Sequence, residues 1–265
     1  MADTGENKQN SFADTGLAWW RDIRLALKAL TILPNPGLGE HGPEADASAQ
    51  RAFPIAGLVI GVIVAAVFAV AMDLKLWKLA SSILAIGALV VLTGTRAEMG
   101  VAAFSDALYR KAQNKDRIAD MAHPHLGVHG LLALLFQVSL KVALIMAAAS
   151  TKEAAAALIA ASAAARTVLP LVTYNLPAVV GLAETPTTVK PTRDAVWTAG
   201  ALGVAFVLLF LGPLAGFAAL LFGGVVGAAA AWRIKHELGG YTQESLAVVL
   251  SATEIAVLIA AIVIA

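Results

Sequence analysis

The chain has 265 residues, of which 59% are hydrophobic and 14% charged, with a formal net charge of +1. A soluble domain is about one-quarter charged, so this composition indicates an integral membrane protein, and the small net charge gives no reason to expect a nucleic-acid partner. Because the sequence contains no cysteine, disulfides and thiolate metal sites are excluded.

The N-terminal segment MADTGENKQNSFADTG is polar and lacks the apolar core of a signal peptide. We expect residues 1–16 to be a disordered tail and residues 17–265 to form a single helical membrane domain. The next segment, LAWWRDIRLALKALTILPNPG, has apolar and basic residues at helical spacing, with Trp19 and Trp20 near one end. This pattern is typical of an interfacial helix, and a re-entrant element is the alternative.

Seven segments are apolar over the roughly 20 residues that a helix needs to cross a bilayer core of about 30 Å. They predict an all-α, polytopic membrane bundle, and the fifth and sixth segments are separated only by a tight LGPL turn. The predicted spans are Phe53–Met72, Leu76–Thr95, Val128–Ala149, Ala154–Leu176, Ala195–Leu211, Pro213–Trp232 and Leu246–Ala265.

The basic residues are distributed unequally between the two sides of these spans. Fourteen of the 19 Lys and Arg lie on the side of the N-terminus, whereas the opposite connections contain only Lys75, Lys78 and Lys152. The positive-inside rule therefore predicts a bacterial cytoplasmic (inner) membrane protein with a cytoplasmic N-terminus and a periplasmic C-terminus. The long connection 96–127 then faces the cytoplasm.

Three ionisable residues lie deep inside the predicted spans: Lys141, Arg166 and Glu254. A charge at that depth costs about 2.5–3.5 kcal/mol on insertion scales, so it normally faces a partner or a wet cavity. We expect Glu254 to neutralise Arg166 or Lys141 inside the bundle. A purely structural pair and a substrate contact are both open interpretations.

The connection 96–127 carries the candidate site. Glu98 and Asp106 are eight residues apart, about two helical turns, and therefore lie on a similar face of a helix that continues the second span. Two carboxylates at a membrane boundary can share Mg²⁺, which takes oxygen ligands. The alternative is the solvated end of an amphipathic helix.

Three of the five histidines follow in the segment MAHPHLGVHG: His123, His125 and His129. Such a cluster can bind a transition metal or contact phosphate. Pro124 and Gly127 indicate a bend, so a plain surface turn is the alternative.

Several motifs occur in the order seen in one enzyme family: LTILPNPG, RAFPIAGLVIG, LTGTRAEMGVAAFSDAL, DRIADMAHPHLGVHG, ASAAARTVLP and ELGGYTQESLAVVLSATEIAVLIA. On these segments the chain resembles the cobalamin synthase family, the adenosylcobinamide-GDP ribazoletransferases. The resemblance implies an enzyme that joins adenosylcobinamide-GDP to α-ribazole or its 5′-phosphate and releases GMP. It also implies Mg²⁺ held by an acidic signature, and partners that include membrane lipid, the two substrates and other cobalamin-pathway proteins.

The family's acidic signature, His-x-Asp-Gly-x-Ala-Asp-x-x-Asp-Gly, is only partly present in this chain. Its third aspartate falls on Asp106, whereas its histidine and first two aspartates fall on Ala97, Met99 and Ala103. Alanine and methionine cannot replace carboxylate ligands of a hard cation.

The resemblance nevertheless implies a set of site residues. Asp106 and Glu98 are the expected catalytic and metal-binding residues. The expected substrate contacts are Arg117, His123, His125, Arg166, Glu244 and Glu254.

Three functions follow from these patterns. The first is an active ribazoletransferase with a rearranged site. The second is a catalytically degenerate relative that binds a corrinoid or a partner protein. The third is a small-solute or metal transporter that uses the histidines and the charges inside the spans.

Overall fold

The computed structural model describes residues 4–35, 37, 41–109, 118, 121, 126–179, 185 and 187–264, with side chains from residue 16 onward. A short 3₁₀ turn, Gln50–Ala52, joins the second and third helices. Within the described residues the α-helices are α1 Thr4–Leu30, α2 Pro43–Ala49, α3 Phe53–Asp73, α4 Lys78–Leu92, α5 Arg96–Tyr109, α6 Val128–Ala147, α7 Thr151–Asn175, α8 Arg193–Leu238 and α9 Gln243–Ile264.

Helix α1 is amphipathic and lies against the start of the bundle. Its Leu25 and Ala26 are buried, whereas Trp20 is exposed. Asp22 is fully buried and accepts hydrogen bonds from Ser48 Oγ and Arg51 Nε, both at 2.8 Å. This arrangement fits the predicted interfacial helix. The division into a disordered tail, residues 1–16, and one domain, residues 17–265, stays a prediction.

Four of the predicted spans correspond closely to the long apolar helices α3, α6, α7 and α9. The prediction of one straight helix over the second span, Leu76–Thr95, was wrong. Helix α4 has only 15 residues and is followed by α5 at a bend of 87°. Gly94 and Thr95 both take positive φ values there, +66° and +58°, so the helix cannot continue straight into the connection as predicted.

The fifth and sixth predicted spans are the two halves of α8, which is 46 residues long. The backbone leaves the helical conformation at Gly212, where φ is +75°, immediately before Pro213. A Cβ atom on Gly216 would lie 3.1 Å from Leu208 Cα, whereas residues eight apart in a straight helix are about 12 Å apart. The two halves therefore fold back on each other, as the LGPL turn predicted.

By length and composition, five described helices can cross a membrane, or six if the bent α4–α5 pair is one span. If the bent pair is one span and the two halves of α8 are counted separately, the total is seven, the number predicted.

Helix α7 lies at the centre of the bundle, where it packs against α3, α8 and α9. Its contact with α3 depends on Gly57 and Gly61, which are one turn apart on the same face. A Cβ atom at Gly57 would lie 2.5 Å from Ser162 O, and one at Gly61 would lie 2.6 Å from Ile159 Cα. Small residues thus allow close backbone contact, as is common between membrane helices, and α7 carries Arg166 into the interior.

Candidate functional site

A cavity of about 300 Å³ lies at the end of the bundle where α1 and α4 end and α5 and α9 begin. The polar residues that line it are Thr93, Arg96, Arg166, Thr187, Gln243 and Glu244. Met121 and apolar residues of α1, α5, α7 and α9 form the rest of the wall. The cavity thus extends from the polar end of the bundle to Arg166, a buried residue of α7.

One face of α5 forms a wall of this cavity. Ala97, Met99, Gly100 and Ala103 all line it. Gly100 allows α5 to approach α9 closely, because a Cβ atom there would lie 2.4 Å from the Cβ of Ala247. Three of these four residues occupy the histidine and first two aspartate positions of the acidic signature. The signature segment therefore faces the cavity, although its reactive side chains are replaced.

The two carboxylates predicted to be catalytic are not among the residues that line the cavity. Asp106 is buried, and its carboxylate accepts hydrogen bonds from the backbone N–H groups of Gly127 (2.7 Å) and Gly130 (2.9 Å). Glu98 is half-buried, and its Oε2 atom accepts no hydrogen bond from the residues that the structure describes. A catalytic or metal-binding role for either residue stays a prediction.

Asp106, which belongs to α5, caps the N-terminus of the neighbouring helix α6. Gly127 precedes the first turn of α6 and has no side chain with which to bond the unpaired N–H groups there. The carboxylate of Asp106 supplies the missing acceptor, and its negative charge is favourable at the positive end of the α6 dipole. The carboxylate of Asp106 thus joins α5 to α6.

The three buried charges form one cluster inside the bundle. Glu254 Oε2 lies 2.5 Å from Lys141 Nζ, and Glu254 Oε1 lies 2.5 Å from Arg166 Nη1. All three side chains are almost fully buried. The prediction that Glu254 neutralises Arg166 or Lys141 is confirmed for both partners, so one carboxylate is shared between two cations.

A loop between α7 and α8 closes another side of the cavity through Thr187. The hydroxyl of Tyr241 donates to Thr188 O at 2.8 Å, and Gln50 Nε2 donates to Val189 O at 2.6 Å. Burial raises the pKa of Tyr241, so its hydroxyl keeps the proton that it donates. These bonds hold Thr187 beside the cavity.

Part of the predicted histidine segment lies outside the described residues, namely Arg117, His123 and His125. Met121 from the same segment is described, is buried and lines the cavity. His129 is exposed and stacks on Tyr109, with 4.7 Å between the ring centroids. The substrate contacts predicted for Arg117, His123 and His125 stay predictions.

The described cavity does not suit Mg²⁺, which takes an octahedral set of oxygen ligands. Glu244 is the one carboxylate among the described lining residues, and two arginines line the same space. Within the described ranges, no group of three or more His, Asp or Glu side chains is placed to hold a metal ion.

Sequence reasoning missed Arg96 as a site residue. It begins α5, lines the cavity and donates from Nη1 to Ala29 O in the last turn of α1. Its position directly after the second apolar segment was a usable signal, because a basic residue there faces the polar end of the bundle.

The fold and the cavity together define a polytopic, all-α membrane protein with a cation-rich cavity at one end of the bundle. Residues 22–262 match the family described as cobalamin-5-phosphate synthase. This match covers most of the chain, so the chain belongs to that family.

Several relatives are similar over most of their length. The adenosylcobinamide-GDP ribazoletransferase of Bradyrhizobium diazoefficiens is 29% identical over 91% of this chain and 92% of its own. The protein of the same name from Mesorhizobium japonicum is 31% identical over 91% and 92%. That from Allorhizobium ampelinum is 30% identical over 78% and 83%. No solved structure matches the chain.

Proposed function

We propose that this protein is an adenosylcobinamide-GDP ribazoletransferase, which joins adenosylcobinamide-GDP to α-ribazole or its 5′-phosphate and releases GMP. One observation carries the proposal: the segment that corresponds to the family's acidic signature forms a wall of the cavity. Arg166 and Glu244, both expected to contact substrate, line the same cavity.

The reaction is a phosphoryl-type transfer. A hydroxyl of the ribazole attacks a phosphorus atom of the diphosphate, a new P–O bond forms, the P–O bond to GMP breaks and the hydroxyl proton is released. Positive side chains that face the diphosphate stabilise the charge on its oxygens. No step is assigned to Mg²⁺, whose participation stays a prediction from the resemblance.

The size of the cavity limits which part of the substrate enters it. A volume of about 300 Å³ lies at the lower end of the range for sites that enclose a drug-sized ligand. A corrinoid nucleotide is much larger, so on this proposal the diphosphate lies in the cavity and the corrin ring lies outside its mouth.

The proposal places the cavity on the cytoplasmic side of a bacterial inner membrane. The cavity lies at the end of the bundle that carries Arg96, Lys190 and Arg193, and the opposite end carries Lys75 and Lys78. This asymmetry supports a cytoplasmic N-terminus and a periplasmic C-terminus. Membrane lipid and other cobalamin-pathway proteins remain proposed partners.

The test is GMP release by the purified protein supplied with adenosylcobinamide-GDP and α-ribazole, measured with Mg²⁺ and with EDTA. The proposal predicts GMP release that depends on both substrates. Arg166→Lys, which keeps a cation beside Glu254, should lower the rate more than Arg233→Gln, because neither Arg233 nor its partner Glu237 lines the cavity. Absence of GMP release under both conditions would contradict the proposal.

A second function, a degenerate relative that binds a corrinoid nucleotide without turnover, is favoured by one specific observation. Ala97, Met99 and Ala103 line the cavity where the signature has a histidine and two aspartates. This alternative predicts that adenosylcobinamide-GDP binds and that no GMP is released. The family match does not favour the third function, a transporter.

A further inference from the structure

The buried ionic cluster carries more positive than negative charge. Lys141 and Arg166 are cations, Glu254 is the single anion between them, and each side chain is at most 3% exposed. An uncompensated charge inside a bilayer costs about 2.5–3.5 kcal/mol on insertion scales. A second anion near this cluster would therefore be strongly favoured.

Arg166 connects the cluster to the cavity. Both hydrogen bonds that it gives to described residues come from Nη1, one to Glu254 Oε1 and one to Ser162 O at 3.3 Å. A guanidinium has five N–H donors, so the Nε and Nη2 groups remain for a ligand in the cavity that Arg166 lines. Their fixed planar geometry matches phosphate oxygens.

Arg96 is held at the same cavity from its exposed side. It donates from Nη1 to Ala29 O, a carbonyl in the last turn of α1, where helix carbonyls lack internal partners. This contact anchors the guanidinium beside the cavity, and its other N–H groups donate to none of the residues that the structure describes. Two arginines thus line one cavity of about 300 Å³, one at its buried wall and one at its exposed side.

The two signature positions that would offer carboxylate ligands to a cation between protein and phosphate are apolar here, Met99 and Ala103, and the histidine position is Ala97. On these grounds, and resting on the proposed function, we propose that Arg96 and Arg166 bind the substrate's diphosphate directly, with no divalent cation between the protein and the phosphates. A metal ion would otherwise neutralise the negative charge of the diphosphate. Here the two guanidinium groups neutralise it, together with the excess positive charge of the buried cluster that contains Arg166.

Direct binding is tested with GDP as the probe, on the full chain purified into lipid nanodiscs, by isothermal titration calorimetry. GDP should bind with a Kd that changes less than about threefold between excess EDTA and millimolar Mg²⁺, because no protein–metal bond is made. Arg96→Gln should weaken GDP binding about tenfold or more, through loss of charge-assisted bonds to phosphate. The matched control, Arg233→Gln, removes an exposed arginine that is paired with Glu237 and should leave the Kd unchanged.

Arg166→Lys is a second variant. It keeps the positive charge beside Glu254 and removes the planar guanidinium with its paired N–H donors. It should weaken GDP binding in the same direction while the protein stays folded, as judged by its thermal unfolding. GDP binding that is lost in EDTA and restored by Mg²⁺ would overturn direct binding and leave the proposed transferase function standing. Equal GDP affinity in Arg96→Gln and Arg233→Gln would also overturn it. Absence of GDP binding in every condition, together with absence of GMP release in the transferase assay, would overturn both proposals.

Discussion

Two buried carboxylates on different parts of the molecule are used in different ways. Glu254, in the middle of α9, is paired with the side chains of Lys141 and Arg166. Asp106, near the end of α5, is paired with two backbone N–H groups at the start of α6. Both were candidates for substrate chemistry in the sequence, and both have their oxygens bonded to other parts of the protein.

The difference lies in what would remain if each carboxylate were removed. Loss of Asp106 leaves two neutral N–H groups at the start of α6 without their acceptor. Loss of Glu254 leaves two cations in the interior, where desolvated charge is far more costly. Glu254 therefore stabilises the interior of the bundle next to the cavity, whereas Asp106 stabilises the junction between α5 and α6.

The largest effect is expected for Glu254→Gln, which keeps the shape of the side chain and removes its charge. Because Lys141 and Arg166 stay buried, we expect the free energy of unfolding to fall by about 3–5 kcal/mol. The measurement is thermal or denaturant unfolding of the purified protein in detergent, followed by circular dichroism.

A double variant sharpens this result. Arg166→Met combined with Glu254→Gln removes one of the stranded cations and should recover part of the lost stability. Losses that simply add in the double variant would contradict the coupling between these residues, since independent sites are additive within a few tenths of a kcal/mol.

A smaller effect is expected for Asp106→Ala. It removes two charge-assisted hydrogen bonds to the first turn of α6, and we expect a loss of about 2 kcal/mol in the free energy of unfolding. The change should appear as faster amide hydrogen exchange in the first turn of α6 than in α7. Glu98→Gln on the same helix is the control, because the Oε2 atom of Glu98 has no hydrogen-bond donor among the described residues. Equal losses in the two variants would argue against the capping role.

The apolar pattern predicted the spans well because burial in lipid imposes a length and a composition on each helix. The break at Gly212 could also be anticipated, since a glycine before Pro213 lies between two apolar segments. The bend after α4 was missed. It depends on the positive φ values of Gly94 and Thr95, and the residue types alone allowed a helix that continued through them.

The candidate site was harder to predict because side-chain direction depends on packing. Helical spacing put Glu98 and Asp106 on a similar face, yet Asp106 faces the start of α6 and Met99 and Ala103 face the cavity. The pairing of Glu254 with Lys141 and Arg166 was predictable, because a charge at that depth requires a partner and the sequence places few other charged residues inside the spans. The role of Arg96 depends on the end of α1 lying beside α5, a contact that no local pattern reveals.

A still smaller effect is expected for Tyr241→Phe, which removes the neutral hydrogen bond to Thr188 O. We expect a loss of about 1 kcal/mol at neutral pH. Because burial raises the pKa of Tyr241 above its unfolded value, this contribution is fully present below about pH 10 and is lost as the pH rises through the folded value. Unfolding curves at pH 7 and above pH 10 check this, and a stability difference that grows with pH would contradict it.

The smallest effect is expected for Arg233→Gln, which breaks a pair with Glu237 on the last turns of α8, where Arg233 Nη2 lies 2.8 Å from Glu237 Oε1. Arg233 is a cation beside a carboxylate, as Arg166 is, but its side chain is 54% exposed, so water screens the pair. We therefore expect a change of no more than about 0.5 kcal/mol in the free energy of unfolding. The same unfolding measurement compares it with Glu254→Gln. If the two substitutions cost similar amounts, the interior cluster is solvated, and its excess positive charge would no longer favour an anion in the cavity.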